Sequence, residues 1–152
     1  MLETPHVIIG AAIATKIGNP LLSIPLAFTS HFVLDMLPHW NPHINTEKRN
    51  GGITMRSKVI IATDVIVSLV SGFAIALSAG QNLSHSIYIV AACFAAVLPD
   101  VIEGPYFFLG WKSNFVKNWL SFQKSIQVDT TPVVGSIVQI VTMLTAIWWI
   151  YS

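Results

Sequence analysis

Long apolar segments divide most of the chain into candidate membrane helices. Three of these segments cover residues 59–77, 87–98 and 133–151. About 20 residues of helix cross the hydrocarbon core of a bilayer, so the first and third segments are long enough as they stand. The second reaches this length when it continues through Pro99 and Asp100 towards Gly104. The pattern predicts three transmembrane helices.

The first forty residues show a different pattern. Residues 6–17 are apolar but amount to only about 18 Å of helix, and a Gly-Asn-Pro sequence at 18–20 interrupts them. The apolar pattern resumes over residues 21–37, where Pro25 is tolerated near the start of a helix. We therefore expect a helical hairpin with a short first arm. The predicted fold is an all-α membrane protein of one domain, residues 1–152, with an N-terminal helical hairpin and three transmembrane helices.

Composition and charge agree with this interpretation. Hydrophobic residues make up 53% of the chain and charged residues 10%, whereas a soluble domain is about 25% charged. Seven of the eight basic residues lie in two connections, residues 40–58 and 111–131, and only Lys16 lies elsewhere. The positive-inside rule places both connections in the cytoplasm. The net charge of +1 says nothing about nucleic acid, but the sequence has no basic stripe with interleaved aromatic residues, and we therefore expect no nucleic-acid partner.

This orientation brings the ionisable side chains of the apolar segments to one depth. His31 and Asp35 are four residues apart and would share one face of a helix, and His39, four residues further on, would share it if the helix continues past Pro38. Ionisable groups at membrane depth are costly and commonly mark functional sites. Imidazole and carboxylate together are the usual ligands of zinc and related ions. The candidate residues, on four helical segments, are His6, His31, Asp35, His39, Asp64, Asp100 and Glu103.

Asp64 has the least local explanation among these residues. It lies about two turns into its predicted helix, where an unpaired carboxylate is costly, and its helical neighbours offer no cation. We expect Asp64 to meet the face formed by His31 and Asp35 through a metal ion or a metal-bound water. The alternative is a structural polar seam that Asp64 forms with Ser68 and Ser71.

Three local motifs resemble those of a known family. They are Thr4-Pro5-His6 before an apolar helix, the H-x-x-x-D-x-x-P-H sequence at 31–39, and Leu98-Pro99-Asp100. Over residues 4–104 the chain resembles the bacterial membrane-bound metal-dependent hydrolases, most of which carry only a domain-of-unknown-function label. The motifs are also similar to those of soluble zinc-dependent phospholipase C, in which His and Asp side chains hold zinc ions that activate water against a phosphodiester.

The resemblance implies four metal ligands: His6, His31, Asp35 and Asp100. Spacing adds His39 to this set, and depth adds Asp64. The histidine share favours zinc, as one ion or two, with manganese and iron as the alternatives. Of the carboxylates, Glu103 and Asp64 are the candidate catalytic bases.

These observations predict a metal-dependent hydrolase in the bacterial inner membrane, with its site facing the cytoplasm. A metal ion lowers the pKa of its bound water to about 7 and polarises a phosphoryl oxygen, which suits hydrolysis of a phosphoester. Membrane lipid is the expected partner, and a phospholipid headgroup is a candidate substrate. Lys48, Arg49 and Arg56 would attract an anionic headgroup.

Two other classes of protein are open at this point. A small ion or metal transporter would carry polar residues through the whole membrane depth, whereas the outer halves of residues 59–77 and 133–151 offer only Ser, Thr and Gln139. A non-catalytic membrane protein with a structural or vestigial metal site is favoured by residues 122–127, which carry glutamines where the resemblance leads us to expect histidines. A catalytic site would keep an open coordination position.

Overall fold

The computed structural model describes all 152 residues and is built from helices without strands. The all-α prediction is confirmed. The seven helices, in chain order, are α1 (Glu3–Ile17), α2 (Pro20–Asp35), α3 (Ile44–Arg49), α4 (Met55–Ala79), α5 (Leu83–Phe108), α6 (Asn114–Ile126) and α7 (Pro132–Tyr151).

Three of the helices, α4, α5 and α7, are long enough and apolar enough to cross a membrane. Many of their large apolar side chains point away from the protein, including Ile66, Val70 and Leu144, each of which is more than half exposed. An apolar surface of this extent is typical of contact with lipid and not with water. Three helices that are able to span a membrane are thus present where the sequence predicts them. Helix α5 continues through Pro99 to Phe108, which gives the second apolar segment the required length.

Helix α1 lies at the centre of the structure. It packs against α2, α4, α5 and α7, and nine of its 15 residues are buried. Its sequence from Val7 to Ala14 is apolar throughout, which is typical of a helix that other elements enclose on every side. Gly18, with φ of 67°, ends α1, and the side chain of Asn19 accepts a hydrogen bond from the Leu21 amide to cap α2.

Small residues let α1 and α5 approach closely. A Cβ atom on Gly10 would lie 2.9 Å from the backbone oxygen of Ala92 and 2.9 Å from the Cβ of Ala96. This contact fixes the depth of α1 against α5. It therefore also fixes His6, which lies one turn before Gly10 on the same face of α1.

Replacing Gly10 by alanine is expected to lower the free energy of unfolding by about 1–3 kcal/mol, because the added methyl group meets the α5 backbone. Gly104→Ala is the matched control, since a Cβ at that helical position meets nothing within 4 Å. The measurement is unfolding of both variants in the same detergent. Equal stability of the two variants would show that the α1–α5 contact is looser than described.

Helix α2 ends earlier than the sequence pattern indicated. Its last helical residue is Asp35 and not Leu37, because Pro38 disfavours helical geometry in the residue before it. His39 nevertheless stays near Asp35. Its backbone amide donates to the Val128 oxygen at 3.1 Å, and its oxygen accepts from the Thr130 amide at 3.0 Å.

Helix α6 lies within residues 111–131, a segment predicted only as a connection. Aromatic contacts hold it against α2, with ring centroids 5.9 Å apart for Phe32 and Trp119 and 5.6 Å apart for Phe32 and Phe122. The indole of Trp119 also donates to the Pro99 oxygen on α5 at 3.0 Å. These contacts place α6 across the ends of α2 and α5.

Candidate metal centre

Three imidazole rings converge on the carboxylate of Asp35. The Nε2 atoms of His6, His31 and His39 lie 3.5, 3.6 and 3.8 Å from Asp35 oxygens. All four side chains are completely buried. His31 and Asp35 lie one turn apart on the same face of α2, His6 comes from the first turns of α1, and His39 comes from the segment after α2.

Hydrogen bonds to backbone oxygens orient two of these rings. His31 Nδ1 lies 2.8 Å from the Ala96 oxygen, and His39 Nδ1 lies 2.9 Å from the Leu37 oxygen. A carbonyl oxygen only accepts, so in each ring Nδ1 carries the hydrogen and a neutral ring presents the lone pair of Nε2. Histidine ligands of metal ions are commonly held in this way.

Three ring nitrogens of this cluster lack a hydrogen-bond partner. His39 Nε2 and both ring nitrogens of His6 are buried without a hydrogen bond, whereas buried polar atoms are normally paired. The Nε2 atom of His31 is surrounded by oxygen atoms. It lies 3.1 Å from Gln123 Oε1, 3.5 Å from Asp100 Oδ1 and 3.6 Å from Asp35 Oδ2. A positive charge at this point, whether a metal ion, the Met1 ammonium group or a second ring proton, removes the repulsion between these lone pairs and carboxylate oxygens.

The donor set fits a divalent metal ion. One ligand atom from each of His6, His31 and Asp35 lies within 4.8 Å of the other two, a separation that one ion could bridge. The amino group of Met1 also contacts Asp35 Oδ1, so this carboxylate already accommodates a positive group. Two imidazoles and a carboxylate suit zinc, iron or manganese.

A second group of carboxylates lies beside the imidazole cluster and is joined to it by Gln123. The amide nitrogen of Gln123 donates to Asp100 Oδ1 at 3.3 Å and to Glu103 Oε1 at 2.5 Å. Asp100 contacts His31 directly, whereas Glu103 reaches that ring only through Gln123. Asp100 thus lies 3.5 Å from His31 Nε2, beside the group formed by His6, His31 and Asp35, and Glu103 lies one step further away. Their roles as ligand and base stay predictions.

Asp64 accepts hydrogen bonds from the start of α1. Its carboxylate lies 2.5 Å from the Glu3 amide, 3.3 Å from the Thr4 amide and 2.6 Å from the Thr4 hydroxyl. The first amides of a helix have no partner within the helix, and Leu2, at the N-cap position, provides no side-chain cap. Asp64 supplies the missing cap from α4. This is a partner that sequence reasoning missed, and a role for Asp64 as ligand or base stays a prediction.

Three further polar residues at the site were not among the predicted ones. Gln127 Nε2 lies 3.2 Å from Asp35 Oδ2, and Gln123 bonds as described above. The Glu3 carboxyl lies against that of Asp100, and its Oε2 is buried without a partner. Glu3 lies three residues before His6 on one helical face, a spacing that could have identified it.

A cavity of about 210 Å³ extends from the second carboxylate group towards the exterior. Four carboxylates line it: Glu3, Asp64, Asp100 and Glu103. Its lining also includes residues 41–46 and two basic residues, Arg49 and Lys124. The carboxylates next to the metal-binding candidates are therefore accessible to a small molecule.

Two further residues, one basic and one histidine, lie away from the metal-binding candidates. Lys48 donates to the backbone oxygens of Tyr106 and Phe107 at the end of α5. Its ammonium group is therefore bound to α5 and is not free to bind a headgroup. His85 lies in the first turn of α5, where its Nδ1 accepts from the Gln81 amide at 3.1 Å and its ring stacks on Tyr88. His85 takes no part in the metal centre.

The chain matches no family model, no curated protein and no solved structure. The resemblance in the three sequence motifs therefore depends on the residues of those motifs alone.

Proposed function

We propose that this chain is a membrane-embedded metal-dependent hydrolase that acts on a phosphoester. The observation that supports this most strongly is the convergence of three Nε2 atoms on Asp35, two of them oriented by backbone carbonyls. Zinc is the favoured ion, with manganese and iron as the alternatives. The similarity of the three motifs to those of membrane-bound metal-dependent hydrolases agrees with this proposal.

A bound ion would supply a water of lowered pKa and would polarise the phosphoryl oxygen. Glu103 is the proposed base, because its Oε1 accepts from Gln123 while its other oxygen makes no hydrogen bond within the protein. Glu103 also lines the cavity through which a substrate would enter. Gln123 is a positioning residue, since its amide contacts Glu103, Asp100 and His31 together.

In the proposed membrane arrangement, α1 and α2 enter the bilayer as a helical hairpin beside α4, α5 and α7. The 15 residues of α1 amount to about 22 Å of helix, so this hairpin would reach only part of the way across. The concentration of basic residues at 40–58 and 111–131 supports a cytoplasmic location of the cavity. The membrane would then be the inner membrane of a bacterium.

Cysteine labelling is expected to report this orientation. In a Cys93→Ser background, single cysteines at Asn50 and Ser113 should react from the cytoplasmic side, and one at Asn82 only from the outside. The physical reason is that the two basic connections resist transfer across the membrane. Reaction of position 82 from the cytoplasm would overturn the orientation and with it the proposed face of the site.

Hydrolysis by purified protein tests the proposed activity. The protein would be loaded with zinc or manganese in lipid nanodiscs and assayed with bis(p-nitrophenyl) phosphate. We expect turnover that a chelator abolishes, that His31→Ala loses and that His85→Ala retains. Wild-type turnover no faster than that of His31→Ala would exclude this activity.

Metal retention without turnover would instead favour a structural site. The complete burial of His6, His31 and Asp35 is the observation that supports this second candidate, because structural sites are closed while catalytic sites keep an open position. The two candidates differ in whether a water ligand of the bound ion exchanges. Paramagnetic relaxation of water by the manganese-loaded protein measures this exchange.

A further inference from the structure

A second cavity, next to the first, carries only positive charge. Its volume is about 450 Å³, and its charged lining residues are Arg49, Lys117 and Lys124, with no carboxylate among the residues that line it. Ser121 and Ser125 add hydroxyl groups to the lining. This region will be called the cationic cavity.

Two short helices form the cationic cavity by presenting one face each. Lys117, Ser121 and Ser125 are spaced by four residues and share one face of α6, and Lys124 lies beside that face, three residues after Ser121. On the facing helix, α3, Arg49 lies one turn after Asn45, which also lines the cavity. The cations thus come from two separate parts of the sequence.

The cationic cavity continues the cavity beside the metal-binding candidates. Asn45, Arg49, Leu120 and Lys124 line both of them. Gln123, which contacts His31, Asp100 and Glu103, directly precedes Lys124 on α6. Adjacent residues of α6 therefore contact the two sites: Gln123 contacts the metal centre, and Lys124 lines the cationic cavity.

Two of the three cations are free to bind a ligand. Lys117 makes no ion pair or hydrogen bond within the protein, and the only hydrogen bond donated by the Arg49 side chain runs from Nε to the Asn45 oxygen. Lys124 is paired with Asp129. Although partial burial raises the pKa of Asp129, the hydrogen bond from Lys124 lowers it further, so that the net pKa is below its usual value.

We propose that the cationic cavity binds a phosphate group of the substrate through Arg49 and Lys117. This inference rests on the proposed function, which it deepens by naming the group that the enzyme recognises. The terminal nitrogens of an arginine match the geometry of phosphate oxygens, and a lysine adds a mobile positive charge. The carboxylates of the first cavity repel an anion until a metal ion neutralises them, whereas the cationic cavity beside it has no carboxylate in its lining, so a phosphate group is held there before it reaches the metal centre.

Direct binding of inorganic phosphate tests this assignment without requiring turnover. Metal-loaded protein in nanodiscs of phosphatidylcholine alone would be titrated with inorganic phosphate by calorimetry. Lys117→Gln and Arg49→Gln are each expected to raise the dissociation constant about tenfold, as for loss of one charge-assisted hydrogen bond. Both side chains are at the surface, and Lys112→Gln is the matched control because Lys112 is an exposed lysine outside the cavity lining.

The outcomes separate this inference from the proposed hydrolysis. Phosphate binding by the cationic cavity is rejected if the wild type binds no phosphate, or if Lys117→Gln and Lys112→Gln change the binding equally. Neither result affects the proposal of metal-dependent turnover. Phosphate binding that needs Lys117 in a protein without turnover would support the cavity and reject the hydrolase.

A second set of nanodiscs distinguishes the source of the phosphate group. Nanodiscs that contain phosphatidylglycerol are expected to weaken the binding of inorganic phosphate to the wild type if the group belongs to a lipid headgroup. Unchanged binding assigns the group to a water-soluble phosphoester. In either case the effect of Lys117→Gln in phosphatidylcholine decides whether the cavity binds phosphate.

Discussion

Replacing His31 by alanine is expected to reduce the metal content of the purified protein from about one ion per chain to near zero. The ring is held by the Ala96 oxygen so that Nε2 points at Asp35 and Asp100. Asp35→Ala should have the same effect. Elemental analysis after purification without chelator provides the measurement.

The matched control for His31 is His85→Ala. His85 is also a buried histidine in a helix, but its ring contacts Gln81 and Tyr88 far along α5 from Asp100. This variant should keep its metal. A wild-type content below about 0.2 ion per chain would reject the metal centre altogether, because a structured site of this kind should retain its ion.

Replacing Asp64 by alanine is expected to lower the free energy of unfolding by about 2–4 kcal/mol, since two backbone amides and the Thr4 hydroxyl lose their acceptor. Asp64→Asn should recover part of this loss, because the amide oxygen still accepts. Ser68→Ala is the control, since the Ser68 hydroxyl bonds only to the Val65 oxygen of its own helix. Unfolding in one detergent compares the three variants.

The same variants decide between two roles for Asp64. A carboxylate that only caps α1 can be replaced by asparagine with little change in metal content. Loss of metal from Asp64→Asn at near-normal stability would make Asp64 a ligand, as the sequence suggested. Equal stability of Asp64→Ala and Ser68→Ala would contradict the cap.

The sequence was most informative where the relevant pattern is local. Length and apolar content predicted α4, α5 and α7, and four-residue spacing predicted the shared face of His31 and Asp35. Both patterns depend on helix geometry and on the cost of placing polar groups in lipid, and neither requires knowledge of which helices are neighbours.

Sequence reasoning failed where the contact is between distant segments. The partner of Asp64 is the backbone of α1, about 60 residues earlier in the chain, and a backbone amide leaves no trace in the sequence. In the sequence, Gln123 and Gln127 stand in a connection between helices where the family resemblance leads us to expect histidines. Their role depends on the packing of α6 against Phe32, which no local periodicity reveals.

The four-residue spacing that predicts His39 near Asp35 does not by itself explain its position. The expectation depended on the helix continuing past Pro38, and the helix stops at Asp35. The chain returns His39 to the site through backbone hydrogen bonds with the segment after α6. Residues 128–130 are therefore as important for this ligand candidate as its own spacing.

The central position of α1 constrains the order of events during synthesis. The ribosome makes α1 before its neighbours α4, α5 and α7, and Gln139 on α7 accepts from the Leu2 amide while donating to the Trp40 oxygen. At 15 residues, α1 falls short of the roughly 20 that hold a single helix across a bilayer. The start of α1, which carries His6, therefore lacks part of its environment until α7 has been synthesised. A metal ion held by His6 would bind in its final environment only after that point.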